Sequence, residues 1–337
     1  MKKGCVSVIV PVYNQRQCIE KCLNSIINQT YQDLQVLVID DGSDDGTDVI
    51  LDQYAQLDSR IEVYHVKNKG VSESRNYALY RVKGEYIQFV DADDEIKDNM
   101  TYTMVQAMRQ NDVDMVICNY VKQFSKLFIY NMLLEKPKKY TSKNYLIGTL
   151  KDPGHHYYGV VWNKLYKAEI VLSHKMLFDK KVTLGEDFIF NINYWLSSSN
   201  VLVLSNYLYI YNKTSEYSLS NKKNKSIDDC ISEMQNRKKI FAVYSKVIKT
   251  LVRTDEYFTR LYQYWLVFYI RQDYGLKHEY SLWSSNDRER WEAILNQDED
   301  INKAFEIASG KWINQYKKKY RINSFIKNTA KKILKIS

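Results

Sequence analysis

Apolar runs alternate with amphipathic segments along the first 120 residues of the chain. A continuous apolar run, without polar alternation, is typical of a strand that is buried on both faces. We therefore predict five strands, at Val6–Val12, Leu34–Ile39, Ile61–Val66, Tyr86–Val90 and Asp114–Tyr120.

The segments between these runs have apolar residues at helical spacing. Four helices are predicted, at Gln17–Ile27, Thr47–Leu57, Ser72–Val82 and Asn99–Asn111. Ser72 is expected to cap the third helix, and Gly84 is expected to end it. Strands that alternate with helices of this length predict βαβ units and a mainly parallel, Rossmann-like α/β sheet with flanking helices. Ligands of such sheets bind beyond the carboxyl ends of the strands.

The second half of the chain has a different pattern. Residues 124–211 are mixed, with short strands predicted at Val201–Leu204 and Tyr207–Tyr211, and from Lys225 onward the pattern is helical and rich in aromatic residues. We predict an α/β domain over residues 1–220, a helical domain over 221–310 and a tail over 311–337.

Charge is concentrated in the tail. The chain of 337 residues has a formal net charge of +9, and Lys311–Ser337 contains nine Lys or Arg and no acid, so the other 310 residues sum to zero. A neutral body argues against a nucleic-acid partner. Arg321–Ile336 predicts a basic amphipathic helix that binds an anionic membrane surface. The alternatives are that this helix packs on the chain's own helical domain or is disordered.

The cysteines and the apolar runs indicate the compartment. Five Cys, an odd number without a Cys-x-x-Cys pair, are expected to be small buried residues in a reducing cytoplasm. The first apolar run is too short for a signal peptide, and no segment approaches 18 uncharged apolar residues. We predict a cytoplasmic protein that is peripheral at the inner face of the cell membrane.

Polar clusters follow three of the predicted strands. They are Tyr13-Asn14, Asp40-Asp41 and Asp91–Asp94. If the sheet is parallel, all three lie along one edge. Carboxylates packed as closely as Asp91, Asp93 and Asp94 repel one another, and a hard cation such as Mg²⁺ or Mn²⁺ relieves that repulsion. A solvated acidic turn is an equally good interpretation of this cluster taken alone.

The loop after the first strand excludes two common nucleotide sites. Residues 11–16 contain no glycine, whereas a dinucleotide site needs Gly-x-Gly-x-x-Gly there, and no Walker phosphate loop occurs in the chain. Asp41 could accept a hydrogen bond from a base or a ribose, or could belong to an ordinary Asp-Gly turn.

Four sequence blocks resemble glycosyltransferase family 2, of the bacterial surface-polysaccharide type. They are Val6–Asn14, Asp40–Thr47, Gly70–Asn76 and Gly84–Asp94, and the resemblance extends through Trp162–Tyr166 and Gly185–Asp187 to about Tyr211. The resemblance implies the GT-A fold, and the helical C-terminal third lies outside it. Ser74 departs from the Ala that is usual before Arg-Asn.

The resemblance also implies roles for particular residues. Those implied to bind the donor are Pro11, Tyr13, Asp41, Arg75, Asp91 and Lys164. Asp93 would be the direct metal ligand, with Asp91 beside it, for Mn²⁺ or Mg²⁺. Asp187 would be the general base, and Trp162 and Glu186 would shape the acceptor pocket. Without the resemblance, Glu186 and Asp187 are better explained as the acidic first turn of a helix.

The implied activity is transfer of a sugar from a nucleotide diphosphate donor, with a UDP-sugar expected, to a glycan or lipid-linked acceptor. One base and no nucleophile imply inversion at the anomeric carbon. The implied pathway is capsule, exopolysaccharide or glycoconjugate synthesis. The alternative is a non-catalytic protein of the same fold that holds a nucleotide sugar.

Overall fold

The computed structural model describes residues 1–124, 127–132, 134–149, 159–182, 185–212, 226–251 and 283–299. The chain folds into two compact units, and the first contains every described residue up to Asn212. The predicted boundary near residue 220 and the basic tail lie outside the described residues.

The first unit is built on one twisted mixed sheet. Its strands are β1 (Lys2–Val12), β2 (Leu34–Asp40), β3 (Ile61–His65), β4 (Gly84–Phe89), β5 (Glu95–Ile96), β6 (Met115–Phe124), β7 (Leu127–Asn131), β8 (Lys138–Thr141), β9 (Lys164–Lys167) and β10 (Asn200–Asn212). The order across the sheet is β3-β2-β1-β4-β9-β6-β10-β5, with β7 beside β6 and β8 beside β10.

Helices connect and cover these strands. They are α1 (Ile19–Ile27), α2 (Thr47–Leu57), α3 (Val71–Leu79), α4 (Met100–Asn111), α5 (Ser142–Thr149), α6 (Ala168–Ser173) and α7 (Glu186–Ser197). The core lies at the centre of the sheet, where Val6, Val8, Ile9 and Val10 of β1 are fully buried. The continuous apolar run of β1 is explained by this burial on both faces.

The predicted α/β fold with a mainly parallel core is confirmed. β1 pairs in parallel with β2 and β4, and β2 pairs in parallel with β3. The chain order reverses direction between β1 and β4, because β2 and β3 lie on one side of β1 and β4 lies on the other. A crevice at such a switch point is where open α/β sheets bind ligands.

The strand β9 runs against the parallel core and was not predicted. β9 is antiparallel to both β4 and β6, and it joins the two halves of the sheet. Four residues without alternation give too little periodicity to identify a strand. Because β4 and β6 are each antiparallel to β9, their carboxyl ends point the same way.

The predicted cap of α3 is wrong. The helix begins after Gly70, whose φ of 90° is left-handed, and no side chain caps it; Ser72 lies in the first turn. The helix ends at Leu79, before the predicted end at Val82. Gly70 is needed because a side chain at that φ is strained.

The second unit contains α8 (Ile227–Leu251) and α9 (Ser285–Asn296) among the described residues. Trp283 and Trp291 meet edge to face with ring centroids 5.8 Å apart. The predicted helical character of this region agrees with both elements. No described helix of the chain has the length and apolar character needed to cross a bilayer.

Candidate active site

The three polar clusters lie on one edge of the sheet, as predicted. Val12 is paired with Asp40 across β1 and β2, and Ile9 is paired with Phe89 across β1 and β4. The residues that follow these strands therefore flank the switch point. The alignment of β1 with β4 continues one residue beyond the end of β4, where Val90 N–H donates a hydrogen bond to Ile9 O at 3.0 Å.

Asp41 fixes the loop that leads into α3. One carboxylate oxygen accepts from Lys69 N–H at 2.9 Å, and the other accepts from Gly70 N–H at 2.8 Å. The neighbouring Asp40 binds His65 Nδ1 at 2.7 Å. Each carboxylate oxygen has a second lone pair, so Asp41 keeps acceptor capacity for a ligand.

Tyr13 is the exposed aromatic side chain at this edge. Its exposed fraction is 47%, and Pro11 beside it is half-buried. Asn14 follows with a left-handed φ of 50°, and its amide exchanges two hydrogen bonds with Asp44. The exposed Tyr13 ring, next to this turn, has a face available for stacking.

Arg75 joins three carboxylates from two distant segments of the chain. Its Nη1 is 2.7 Å from Asp187 Oδ1 and 3.2 Å from Glu186 Oε1, and its Nη2 is 3.1 Å from Asp91 Oδ1. The guanidinium is 4% exposed, and Nε has no hydrogen-bond partner within the described part of the chain. Burial disfavours the charged form, but the three carboxylates outweigh it and raise the pKa of Arg75.

Asn76 ties the same helix to the segment that precedes α7. Its amide donates to Phe178 O at 2.9 Å and accepts from Phe178 N–H at 2.8 Å. The Phe178 ring lies 5.2 Å from the Arg75 guanidinium and stacks on Phe190, with centroids 4.3 Å apart. The Arg-Asn pair therefore fastens α3 to the part of the chain that carries Glu186 and Asp187.

The environment of Asp187 favours its protonated form. Burial raises the pKa of this carboxyl above its ordinary value, Arg75 opposes the change, and the charges of Glu186 and Asp91 add to it. One guanidinium shared by three carboxylates does not neutralise them. A carboxyl with a raised pKa at the end of a crevice is suited to accept a proton near neutral pH.

Asp94 is the buried member of the acidic cluster. It is 0% exposed, and it accepts from Tyr209 O–H at 2.7 Å and from Asn212 N–H at 2.8 Å. The Tyr209 hydroxyl also accepts from Asp91 N–H at 3.2 Å. Burial, with the charges of Asp93 and Asp91, raises the pKa of Asp94. Tyr209 thus links β10 to the loop that carries the predicted metal ligands.

Replacing Tyr209 with Phe should loosen this loop without removing the ring. The variant leaves buried Asp94 with one donor fewer, which costs about 1–3 kcal/mol in the free energy of unfolding. We also expect more Mn²⁺ to be needed for half-maximal activity, because Asp91 loses a backbone anchor. Denaturant unfolding and metal titration measure the two effects. Tyr207→Phe on the same strand is the control, and equal effects in both variants would contradict the role of the Tyr209 hydroxyl.

Trp162 and Lys164 lie beneath the surface of the site. Trp162 is 2% exposed and stacks on Tyr209, with ring centroids 4.2 Å apart and an interplanar angle of 17°. Lys164 is 0% exposed, and its Nζ donates to Asn163 Oδ1 at 2.9 Å and to Val160 O. Burial lowers the pKa of Lys164 to about 7. Both predicted site residues are therefore buried, Trp162 against Tyr209 and Lys164 against Asn163 and the backbone of Val160.

The predicted metal ligands Asp91 and Asp93 offer two carboxylates. Within the described ranges, no three His, Cys, Asp or Glu side chains are arranged to hold a metal ion. Both aspartates are half-buried, and Asp91 is also paired with Arg75. Mg²⁺ and Mn²⁺ are commonly bound by one or two carboxylates together with substrate phosphates and water. The residues present fit such an ion.

The sequence profile of "Glycosyl transferase family 2" matches residues 7–172, and this part of the chain belongs to that family. The match includes the three polar clusters at the edge of the sheet and Arg75. The family and the GT-A fold that the resemblance implied are thus confirmed, whereas Asp187 lies beyond the matched residues.

Named relatives agree with the family, and a solved structure agrees with the fold. "Uncharacterized glycosyltransferase EpsJ" of Bacillus subtilis is 33% identical over 213 residues, which span 61% of this chain and 60% of that protein. "Glycosyltransferase GlyG" of Streptococcus pneumoniae is 28% identical over 258 residues, 67% of this chain and 80% of the other. The crystal structure of S. aureus TarS 1-349 in complex with UDP-GlcNAc has a TM-score of 0.65 at 21% identity, covering 89% of this chain and 81% of that one.

Proposed function

We propose that the chain is an inverting glycosyltransferase that moves a sugar from a nucleotide diphosphate donor to a glycan or lipid-linked acceptor. The observation that carries the proposal is the Arg75 cluster, which gathers Asp91, Glu186 and Asp187 at the switch point of a family 2 sheet. A UDP-sugar is the proposed donor, and bacterial surface polysaccharide or glycoconjugate synthesis is the proposed setting. The UDP-GlcNAc bound to TarS supports this choice.

Each side of the crevice contributes a different group to the reaction. On the β1 side, Tyr13 stacks on the base and Asp41 accepts a hydrogen bond from it, with Pro11 lining the pocket. On the β4 side, Asp91 and Asp93 would hold Mn²⁺ or Mg²⁺, and the bound ion would supply positive charge to the diphosphate of the donor. The exposure of Tyr13 and the spare acceptor capacity of Asp41 support these roles.

Asp187 accepts the proton of the incoming hydroxyl. Arg75 orients this carboxylate through the 2.7 Å contact and holds Glu186 beside it. The hydroxyl attacks the anomeric carbon from the face opposite the diphosphate, so a single displacement inverts the configuration. Lys164 and Trp162 support the donor and acceptor sides of this arrangement from below.

Release of UDP from a panel of UDP-sugars, with Mn²⁺ and with EDTA, tests the proposal. We expect slow metal-dependent hydrolysis of one donor and faster release when an acceptor is added. The same donor should raise the melting temperature, because a ligand that binds only the folded state stabilises it. Thermal stabilisation without release, with water or any acceptor, would instead support the non-catalytic nucleotide-sugar-binding protein.

The basic tail supports peripheral attachment to the inner face of the cell membrane. Nine cations without an acid over Lys311–Ser337 attract anionic lipid, at about 1 kcal/mol each before screening by salt. The intact chain should therefore sediment with anionic vesicles at low salt, and a chain ending at Gly310 should sediment much less. Equal sedimentation of the two would remove the tail as an anchor.

A further inference from the structure

The hairpin of β6 and β7 extends the sheet past the level of β4, beside the candidate active site, and its β6 strand is paired with β10 as far as Gln123. β9 pairs its Leu165 with Gln88 of β4 and with Val116 of β6, so these residues share one level of the sheet. β4 ends one residue later, at Phe89, but β6 continues to Phe124. At 3.3 Å per residue, the seven residues 118–124 carry the hairpin up to about 23 Å past the level of β4.

The outer strand of the hairpin, β7, is exposed on both of its faces, whereas β6 is buried as far as Val121. Consecutive residues of a strand point to opposite faces, and four consecutive residues of β7 are 41%, 49%, 45% and 64% exposed: Leu127, Phe128, Ile129 and Tyr130. Phe124 opposite Leu127 and Met132 beyond the strand are also exposed. Exposed apolar residues that are this numerous and contiguous indicate an interaction surface.

The charge within the hairpin favours an anionic partner. Residues 115–134 contain Lys122 and Lys126 and no Asp or Glu. Lys122 is directly paired with Ile129, so a cation lies within the apolar strands. Aromatic, aliphatic and Lys side chains without acids are the combination found where proteins enter the headgroup region of a membrane.

We infer that the β6–β7 hairpin inserts into the interface of an anionic lipid bilayer. A flat protein partner would cover one face of β7, whereas a lipid interface contacts both of its exposed faces. Asn212 of β10 is paired with Gln123 and also donates to Asp94, so the inserted ribbon adjoins the acidic cluster. Insertion brings the acidic cluster to the lipid surface. The docking is independent of the tail and does not require that the proposed transferase activity be correct.

Vesicle binding by a full-length double variant tests this docking surface. Phe128→Thr/Ile129→Thr removes an apolar side chain from each face, and β-branched Thr preserves strand propensity. With vesicles of phosphatidylglycerol and phosphatidylcholine in equal parts, we expect the double variant to bind about tenfold more weakly than the unmodified chain. The loss should persist at high salt, which screens the tail.

A matched control removes two exposed apolar residues from the other side of the sheet. Val49→Gln/Leu57→Gln acts on α2, where the two side chains are 56% and 78% exposed. This variant should bind vesicles as the unmodified chain does. Melting temperature and UDP release, measured without vesicles, should be unchanged in the hairpin variant, which separates loss of docking from loss of fold or of the proposed activity.

Phe128→Trp provides a second measurement that needs no loss of binding. The fluorescence of the introduced indole, relative to the unmodified chain, should shift to the blue with vesicles and be quenched by brominated lipid. Three results would overturn the inference: equal vesicle binding by the hairpin variant and the unmodified chain, an introduced indole that stays unquenched on bound protein, or a dimer in sedimentation that the double variant alone dissociates. The last would assign the hairpin to a second copy of this chain.

Discussion

Asp187→Asn is expected to lower kcat by about two to four powers of ten, the range that a positioned general base contributes. The change is nearly isosteric, and the Asn oxygen can still accept from Arg75 Nη1, which is 2.7 Å from Asp187 Oδ1 in the unmodified chain. What is lost is the ability to take a proton. Donor affinity should change little, because the proposed base contacts the acceptor, and a fall in kcat without a fall in binding is the signature of that role.

The neighbouring Glu186 supplies the control for this experiment. Glu186→Gln removes a negative charge next to the same guanidinium, because Glu186 Oε1 lies 3.2 Å from Arg75 Nη1. If the loss of kcat in Asp187→Asn came from the altered charge balance around Arg75, Glu186→Gln would lose activity to the same extent. Weaker donor binding with an intact kcat in Asp187→Asn would make Asp187 a binding residue.

The pH profile separates the two acids further. The raised pKa of Asp187 means that this base gains its active, ionised form as pH rises through a value above the ordinary carboxyl range. The acid limb of kcat/KM should therefore lie near neutral pH in the unmodified chain. That limb should disappear in Asp187→Asn and remain in Glu186→Gln.

Asp93→Ala should abolish turnover and Mn²⁺-dependent UDP binding. Asp93 is the proposed direct ligand, and its loss leaves Asp91, which is also paired with Arg75, as the other predicted ligand. The fold should not suffer, because the charge of Asp93 raises the pKa of buried Asp94, and removing it relieves that repulsion. The melting temperature without metal should therefore be unchanged or higher.

Asp98→Ala is the matched change for this prediction. Asp98 follows the same cluster along the chain and is exposed. Its replacement should leave metal-dependent UDP release intact. Isothermal titration of UDP with and without Mn²⁺ measures the metal-dependent part of binding. Full activity of Asp93→Ala in EDTA would refute the metal assignment.

The parallel half of the fold was predictable because its central strands, β1 and β2, are largely apolar and buried on both faces. All four strands β1 to β4 were predicted within a few residues of their bounds. The strand at the end of the unit was predicted as two pieces, at Val201–Leu204 and Tyr207–Tyr211. It is one strand, β10, whose pairing with β6 shifts register between Val203 and Tyr209. Register is a property of two strands and cannot be seen in one.

The site was predictable where its residues follow strands and unpredictable where they depend on distant contacts. The sequence blocks identified Arg75 and the three polar clusters that follow the strands. Arg75 was expected beside the donor, and its ion pairs with Glu186 and Asp187 could not be foreseen, because they join residues 111 and 112 positions apart. The same holds for Tyr209, which is 115 positions from Asp94 and belongs to no recognised block. For the contact with Phe178, the sequence offered one signal, which was the presence of Asn76 in the block Gly70–Asn76.

The antiparallel strand β9 has a consequence for the order in which the molecule assembles. Its four residues pair with β4 on one side and β6 on the other, and no direct pairing of β4 with β6 occurs in the described sheet. During synthesis, β1 to β4 can pair as soon as they emerge, but they remain separate from β6 until Lys164–Lys167 have been made. Until then two unpaired strand edges face each other across a gap, and such edges favour aggregation. The nascent chain is therefore most vulnerable between the completion of β6 and the arrival of β9.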